Sequence, residues 1–282
     1  RGAERVPWPS GQAPVLAKAL VDPELRAGFA RAIRALGEPV FLGATAGLRH
    51  ALEVGEVTAA EVSAFRAALP NGCELHALSP EEEAIYELRA TRTLSGEPCG
   101  MLSMGGRSMQ IGHGEPATVC SLPFAAFSGR DVLAAAESAW PARVEACRLM
   151  YEERCCAERQ RQGLPLLRGR FLAVTDMHAV ADFAGLGPAT LSAEKLVPQL
   201  RAAVEAAAAE LERSGGHCEK PTRIARVIAA EVVLRLLFAP DAEINFPSSL
   251  TVSWTVGYFA GGDHGREAPS EPGSGQCCLA PC

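Results

Sequence analysis

The sequence predicts an α/β fold, and three observations carry the prediction. Strand-like runs alternate with helix-like patterns along most of the 282 residues. A Gly-rich join, "VFLGATAGLRHAL" at 40–52, leads from an apolar β-type stretch straight into a helical pattern. "GMLSMGGRSMQIG" at 100–112 reads as strand, turn and strand. The length suffices for about two ordinary domains with a substantial core, and 48% hydrophobic with 21% charged residues is the composition of a soluble globular protein.

Taken in order, residues 14–36 place Leu16, Leu20, Phe29, Ile33 and Leu36 on one apolar face and predict a helix interrupted at Pro23. In the Gly-rich join that follows, Gly43 and Gly47 would let the backbone approach a ligand. Uncovered N–H groups at a helix start favour an anion such as a phosphate. Thr45 adds a hydroxyl, and Arg49 a charge or a solvent-facing side chain. A tight turn packed on a neighbouring helix is the competing interpretation. "TAAEVSAFRAAL" at 58–69 predicts a helix capped by Thr58, with Glu61 completing a capping box. A short strand, "CELHALS", an acidic segment, "PEEEAIYELRATRTL", and the strand-turn-strand complete the first half.

The second half is mostly helical from 129 to 162, and "RFLAVTD" at 170–176 reads as a strand entering a helix. An Ala-rich helix is predicted at 193–213 and a more apolar one at 221–238. "SLTVSWTVGYFAGG" gives a final strand or the start of a buried helix. From 263 to 282 the composition predicts a disordered tail.

The net charge of −6 argues against a broad nucleic-acid surface. No apolar run is long enough to cross a bilayer, so membrane association is expected only through segments outside this sequence. "RGAERVPWPSGQAP" lacks the apolar core of a signal peptide, and a start on Arg implies a processed, trimmed or partial chain. Ten cysteines without C-x-x-C or zinc spacing fit a disulfide-containing protein of the extracytoplasmic space or secretory-pathway lumen, or else scattered free thiols. No H-E-x-x-H pattern supports a metalloprotease.

Three stretches in order, "FLGATAGLRHAL", "SPEEEAIYEL" and "GMLSMGGRSMQIG", resemble motifs of the apyrase family, the nucleoside triphosphate diphosphohydrolases. Leu42 to Arg49 matches Leu-Gly-Ala-Thr-Ala-Gly-Met-Arg except for Leu48. Glu82, Glu83, Ala84, Ile85 and Tyr86 resemble Glu-Glu-Gly-x-Tyr. Ser103, Met104, Gly105, Gly106, Arg107, Ser108, Met109 and Gln110 are similar to Asp-Leu-Gly-Gly-Ala-Ser-Thr-Gln. "GRFLAVTDMHAVADFAGL" and "SWTVGY" resemble later family elements, so the likeness runs from about 38 to 260.

The resemblance implies a two-lobed actin-like (ribonuclease H-like) fold with an interlobe cleft. Residues 1–112 would form a partial N-terminal lobe, 113–262 the C-terminal lobe and 263–282 the tail. It also implies a hydrolase of nucleoside tri- and diphosphates, with Glu83 as general base, Thr45, Gly47, Arg49, Gly105, Gly106 and Ser108 on phosphate, and Mg²⁺ or Ca²⁺ as cofactor. Gln110 would hold a metal-bound water. Phosphoryl transfer suits such a site because it needs positioning and charge neutralisation more than covalent help.

Two departures stand beside the matches. The family's first phosphate loop, Asp-Ala-Gly-Ser-Ser, has no counterpart among the residues before Leu42, and Ser103 occupies the metal-orienting acidic position of the second turn. A catalytically impaired relative acting as a binding or scaffold protein is therefore the alternative. The bacterial exopolyphosphatases, which share the fold, stand third. Residue by residue, Glu81–Glu83 also suit a solvated helix start, Gly105–Gly106 a plain hairpin, Trp254 and Tyr258 core packing, and "RCCAERQRQ" a solvated helix face.

Overall fold

A computed structural model describes residues 16–36, 41–115, 117–122, 126–134, 139–215, 221–247 and 252. The tail at 263–282, Trp254, Tyr258 and nearly all of the last predicted element lie outside the described residues.

The predicted first helix is two helices, α1 (Leu16–Val21) and α2 (Pro23–Leu36). Asp22 Oδ1 accepts the Glu24 and Leu25 N–H groups at 2.8 and 3.1 Å. It thereby caps α2, and Pro23 sits where its missing N–H costs nothing. Strands β1 (Phe41–Ala44) and β2 (Glu74–Ala77) form a small parallel sheet in the register Phe41↔Glu74 to Ala44↔Ala77. Parallel pairing needs a crossover, supplied by α3 (Ala46–Glu53) and α4 (Ala59–Ala68). The predicted capping box is present, with both Thr58 and Glu61 hydrogen bonds made. Leu20, Ile33, Leu48, Phe65 and Leu75 form this unit's core, where Phe29 and Phe65 meet edge to face at 5.3 Å.

The acidic segment is helix α5 (Pro80–Ser95). Ser79 and Glu82 form a second capping box, Pro80 opens the helix, and Gly96 in the left-handed conformation closes it. Strands β3 (Gly100–Met104), β4 (Met109–His113), β5 (Thr118–Leu122), β6 (Arg170–Thr175), β7 (Ala189–Ser192) and β8 (Glu243–Phe246) form a six-stranded sheet in the order β5-β4-β3-β6-β8-β7. The β3–β5 run is an antiparallel meander, β6 and β8 continue parallel to β3, and β7 is an antiparallel edge. This pairing places the sheet boundary between β2 and β3. The division expected at 112 would cut β4, because the strand-turn-strand pairs with β6 through β3 and not with the small sheet.

Alternating side chains bury both faces of the large sheet. Leu102, Met104, Ile111, Phe171 and Ala173 face helices α7 (Trp140–Gln162), α9 (Ala193–Arg213) and α10 (Pro221–Leu237). Met101, Leu172 and Val174 face α5 with Leu88 and Ala90. The remaining helices are α6 (Ala126–Ala134), packed on α7 and α10, and α8 (Met177–Phe183), which follows β6. A Cβ at Gly112 would lie 3.0–3.3 Å from Leu88 side-chain atoms, so glycine lets α5 lie close on β4. No described helix is long and apolar enough to cross a membrane.

Candidate active site

The period of two along the strands decides which polar groups meet α5. Ser103 shares a strand face with Met101, and Gln110 shares one with Gly112, so both turn to the α5 side. They are also direct partners across the β3–β4 ladder. In the turn between these strands, Gly105 N–H donates to Ser108 O at 2.8 Å, and Gln110 Nε2 donates to Ser108 Oγ at 2.6 Å. Ser103, Ser108 and Gln110 are all buried.

The C-terminal ends of β3 and β6 lie side by side, the place where open α/β sheets bind ligands. Thr175 ends β6 with φ +58°, a conformation costly for a β-branched residue. Its Oγ1 lies 2.9 Å from Ser103 Oγ and accepts the Met104 N–H at 3.0 Å.

Helix α5 brings two carboxylates to this point. Glu83 is 6% exposed, and Arg49 Nη2 donates to its Oε2 at 3.0 Å. Arg49 also donates to Leu78 O, at the end of β2, so the predicted phosphate-contacting Arg49 is engaged in holding Glu83. Burial raises the Glu83 pKa, while the Arg49 bond and charge and the Ala46 N–H act against the rise. Glu87, one turn later on the same face, is 7% exposed. Burial, then the charge of Glu83, push it up to about 8, with the Ser103 hydroxyl acting the other way. Its Oε2 is buried without a hydrogen-bond partner.

Contacts therefore join Ala46 and Arg49 to Glu83, and Glu87 through Ser103 to Thr175, while the Glu83 charge acts on Glu87 and Gln110 pairs with Ser108 alongside. Thr45 caps α3 from an extended backbone without a side-chain cap bond, and a Cβ at Gly47 would meet nothing within 4 Å. Close helix packing therefore does not explain Gly47. Thr45 and Gly47 stand on the β1 side of these contacts and Gly105 and Gly106 on the β3 side, with the carboxylates between them. Glu82 is spent on the helix cap and on His76, 3.2 Å away. Glu87 and Thr175 are not among the candidates the sequence motifs mark. The signal for Glu87 was its spacing of four from Glu83, and for Thr175 its place where "RFLAVTD" leaves the strand.

Glu83, Glu87, Ser103, Thr175, Ser108 and Gln110 are an all-oxygen donor set suited to a hard divalent cation. Among the described residues no three His, Cys, Asp or Glu side chains gather for direct ligation. The residues present thus fit a cation that keeps several waters and binds substrate phosphates, the habit of Mg²⁺. The six described cysteines, Cys73, Cys99, Cys120, Cys147, Cys155 and Cys156, are free thiols.

The small parallel sheet and the six-stranded mixed sheet, with their helices, make a mixed α/β fold of the two-lobed actin-like class. Solved structures share it. The Ppx/GppA family member of Aquifex aeolicus is 12% identical, with 85% of this chain and 79% of that chain covered at a TM-score of 0.54. A second Aquifex aeolicus PPX-GPPA enzyme structure is 18% identical, with 84% and 80% covered at 0.51. An exopolyphosphatase from Cytophaga hutchinsonii is 12% identical, with 85% and 81% covered at 0.55. At such identities the likeness is one of fold. No family model matches the chain, and no curated protein matches it in sequence. The structural neighbours belong to the branch that the motif comparison places third, behind the apyrases.

Proposed function

We propose that this protein hydrolyses terminal phosphoanhydride bonds, with nucleoside tri- and diphosphates as substrates. The observation that carries the proposal is the buried Glu83 carboxylate, held by Arg49 between the β1–α3 join and the β3–β4 turn. A carboxylate whose pKa burial has raised is a better proton acceptor than an exposed one, and it takes the proton of the attacking water. Gly105 N–H closes its own turn, so phosphate oxygens fall to the amides of Gly106 and Ser108 and, from the other lobe, to Thr45 and the open backbone at Gly47. A bound Mg²⁺ or Ca²⁺ would neutralise charge on the phosphate chain.

Linear polyphosphate is the second substrate class, favoured by the fold likeness to the Cytophaga hutchinsonii exopolyphosphatase. Phosphate release from ATP, ADP and polyphosphate, each with Mg²⁺ or Ca²⁺, tests both. Glu83→Gln should lower the rate by about 10²- to 10⁴-fold, the usual contribution of a positioned base. No release from any of them, with nucleotide still bound in calorimetry, would establish instead the scaffold reading that Ser103 favours.

A further inference from the structure

We propose that Glu87 is the carboxylate that holds the hydrated divalent cation, reaching the end of β3 from helix α5 where the strand itself offers only Ser103. The inference rests on the hydrolase reading above and adds a residue to its site. Its basis is an imbalance among the buried polar groups. Glu83 has Arg49 and the Ala46 N–H, Gln110 has Ser108, and Ser103 has Thr175. Glu87 Oε2 has nothing, although the side chain is enclosed. A buried carboxylate oxygen left without a partner forfeits its hydration for nothing in return, and groups left in that state call for an explanation.

Relaxation of the helix does not relieve it. Leu88, the next residue, is seated over Gly112, and the capping box anchors the N-terminus of α5, so the carboxyl is fixed against the sheet. Nor is Glu87 an ordinary core contact: it stands one helical turn from Glu83, and a second buried acid there makes the site harder to charge unless a cation accompanies it. A water of a hydrated cation satisfies Oε2, and the cation compensates the two carboxylates together. The small side chain of Ser103 leaves Glu87 the room to reach this position. An acid placed at residue 103 beside an intact Glu87 would add a third negative charge.

The test uses the full chain and Mn²⁺, followed by electron paramagnetic resonance and calorimetry, with Mn²⁺ alone and with Mn²⁺ plus tripolyphosphate. Glu87→Gln should weaken Mn²⁺ binding by about 10- to 100-fold, the usual loss when a group supporting a metal is removed, with thermal unfolding confirming that the variant is folded. The double variant Glu87→Gln, Ser103→Asp should regain most of that affinity, a rescue that a purely structural Glu87 would not produce. Mn²⁺ binding unchanged in Glu87→Gln, or absent from the parent under both conditions, overturns the proposal. Phosphate release is scored separately. A parent that binds Mn²⁺ through Glu87 but cleaves no phosphoanhydride keeps this site and loses the hydrolase reading. A parent that cleaves equally well in excess chelator, with Glu87→Gln as active, does the reverse.

Discussion

Three acids of α5 show how much a single position decides. Glu82, Glu83 and Glu87 share one helix, yet Glu82 closes a cap, Glu83 is clamped by an arginine, and Glu87 is buried with one oxygen bare. Glu87 also makes stability depend on pH. Its pKa rises from an ordinary 4.5 to about 8 in the folded protein, so between those values the folded state keeps a proton that the unfolded chain has released. By linkage, stability is lost as pH rises through that window and levels off above it. With chelator present, the melting temperature of Glu87→Gln should improve relative to the parent between pH 5 and pH 8.5. A gap that stays constant across that range would show that Glu87 is not held protonated. The Leu-Gly-Ala-Thr run and the acidic triplet stand out in the sequence as site candidates because both are contiguous. Glu87 and Thr175 were not, since their role comes from burial against residues 16 and 72 positions away.

At the scale of elements, local signals carried most of the reading. The capping box of Thr58 with Glu61 forms as the sequence predicts, the structure adds a second with the same spacing at Ser79 and Glu82, and the helices at 193–213 and 221–237 follow their apolar periodicity. The four-residue strands β7 and β8 escaped notice because their pairing is with one another and with β6, far away in sequence, and they are too short to show alternation. The placement of α5 on the sheet depends on a glycine that reads in the sequence as part of a hairpin. Gly112→Ala would press a methyl to within about 3 Å of Leu88, an overpacking that costs roughly 1–3 kcal/mol. It should also lift the Glu87 turn from Ser103, so phosphate release should fall further than the loss of folded protein explains. A Gly112→Ala variant matching the parent in both melting temperature and rate would show that α5 has slack against β4.

Across the whole molecule, the site and the bulk of the stability lie on opposite faces of the large sheet. The α5 face carries Glu83, Glu87, Ser103 and Gln110. The other face carries the apolar core of α7, α9 and α10, and within it Glu231, 1% exposed. Arg148 Nε donates to Glu231 Oε2 at 3.0 Å, and Arg201 Nη2 and Arg235 Nε donate to Oε1 at 3.0 and 3.3 Å, so one carboxylate ties the three helices together. An isosteric Glu231→Gln keeps the shape but leaves Arg148, itself buried, facing a neutral amide. Removing one partner of a buried ion pair costs about 3–5 kcal/mol, and for a domain of about 150–250 residues each kcal/mol lowers the melting temperature by about 2–4 °C. The variant should therefore melt well below the parent. Measured under conditions where it remains folded, however, its phosphate release and Mn²⁺ affinity should match the parent, because a sheet buried on both faces separates the two polar networks. A Glu231→Gln protein that is fully folded yet has lost activity in proportion to Glu83→Gln would show that the helical layer sets the geometry of the α5 carboxylates, and the independence of the two faces would have to be abandoned.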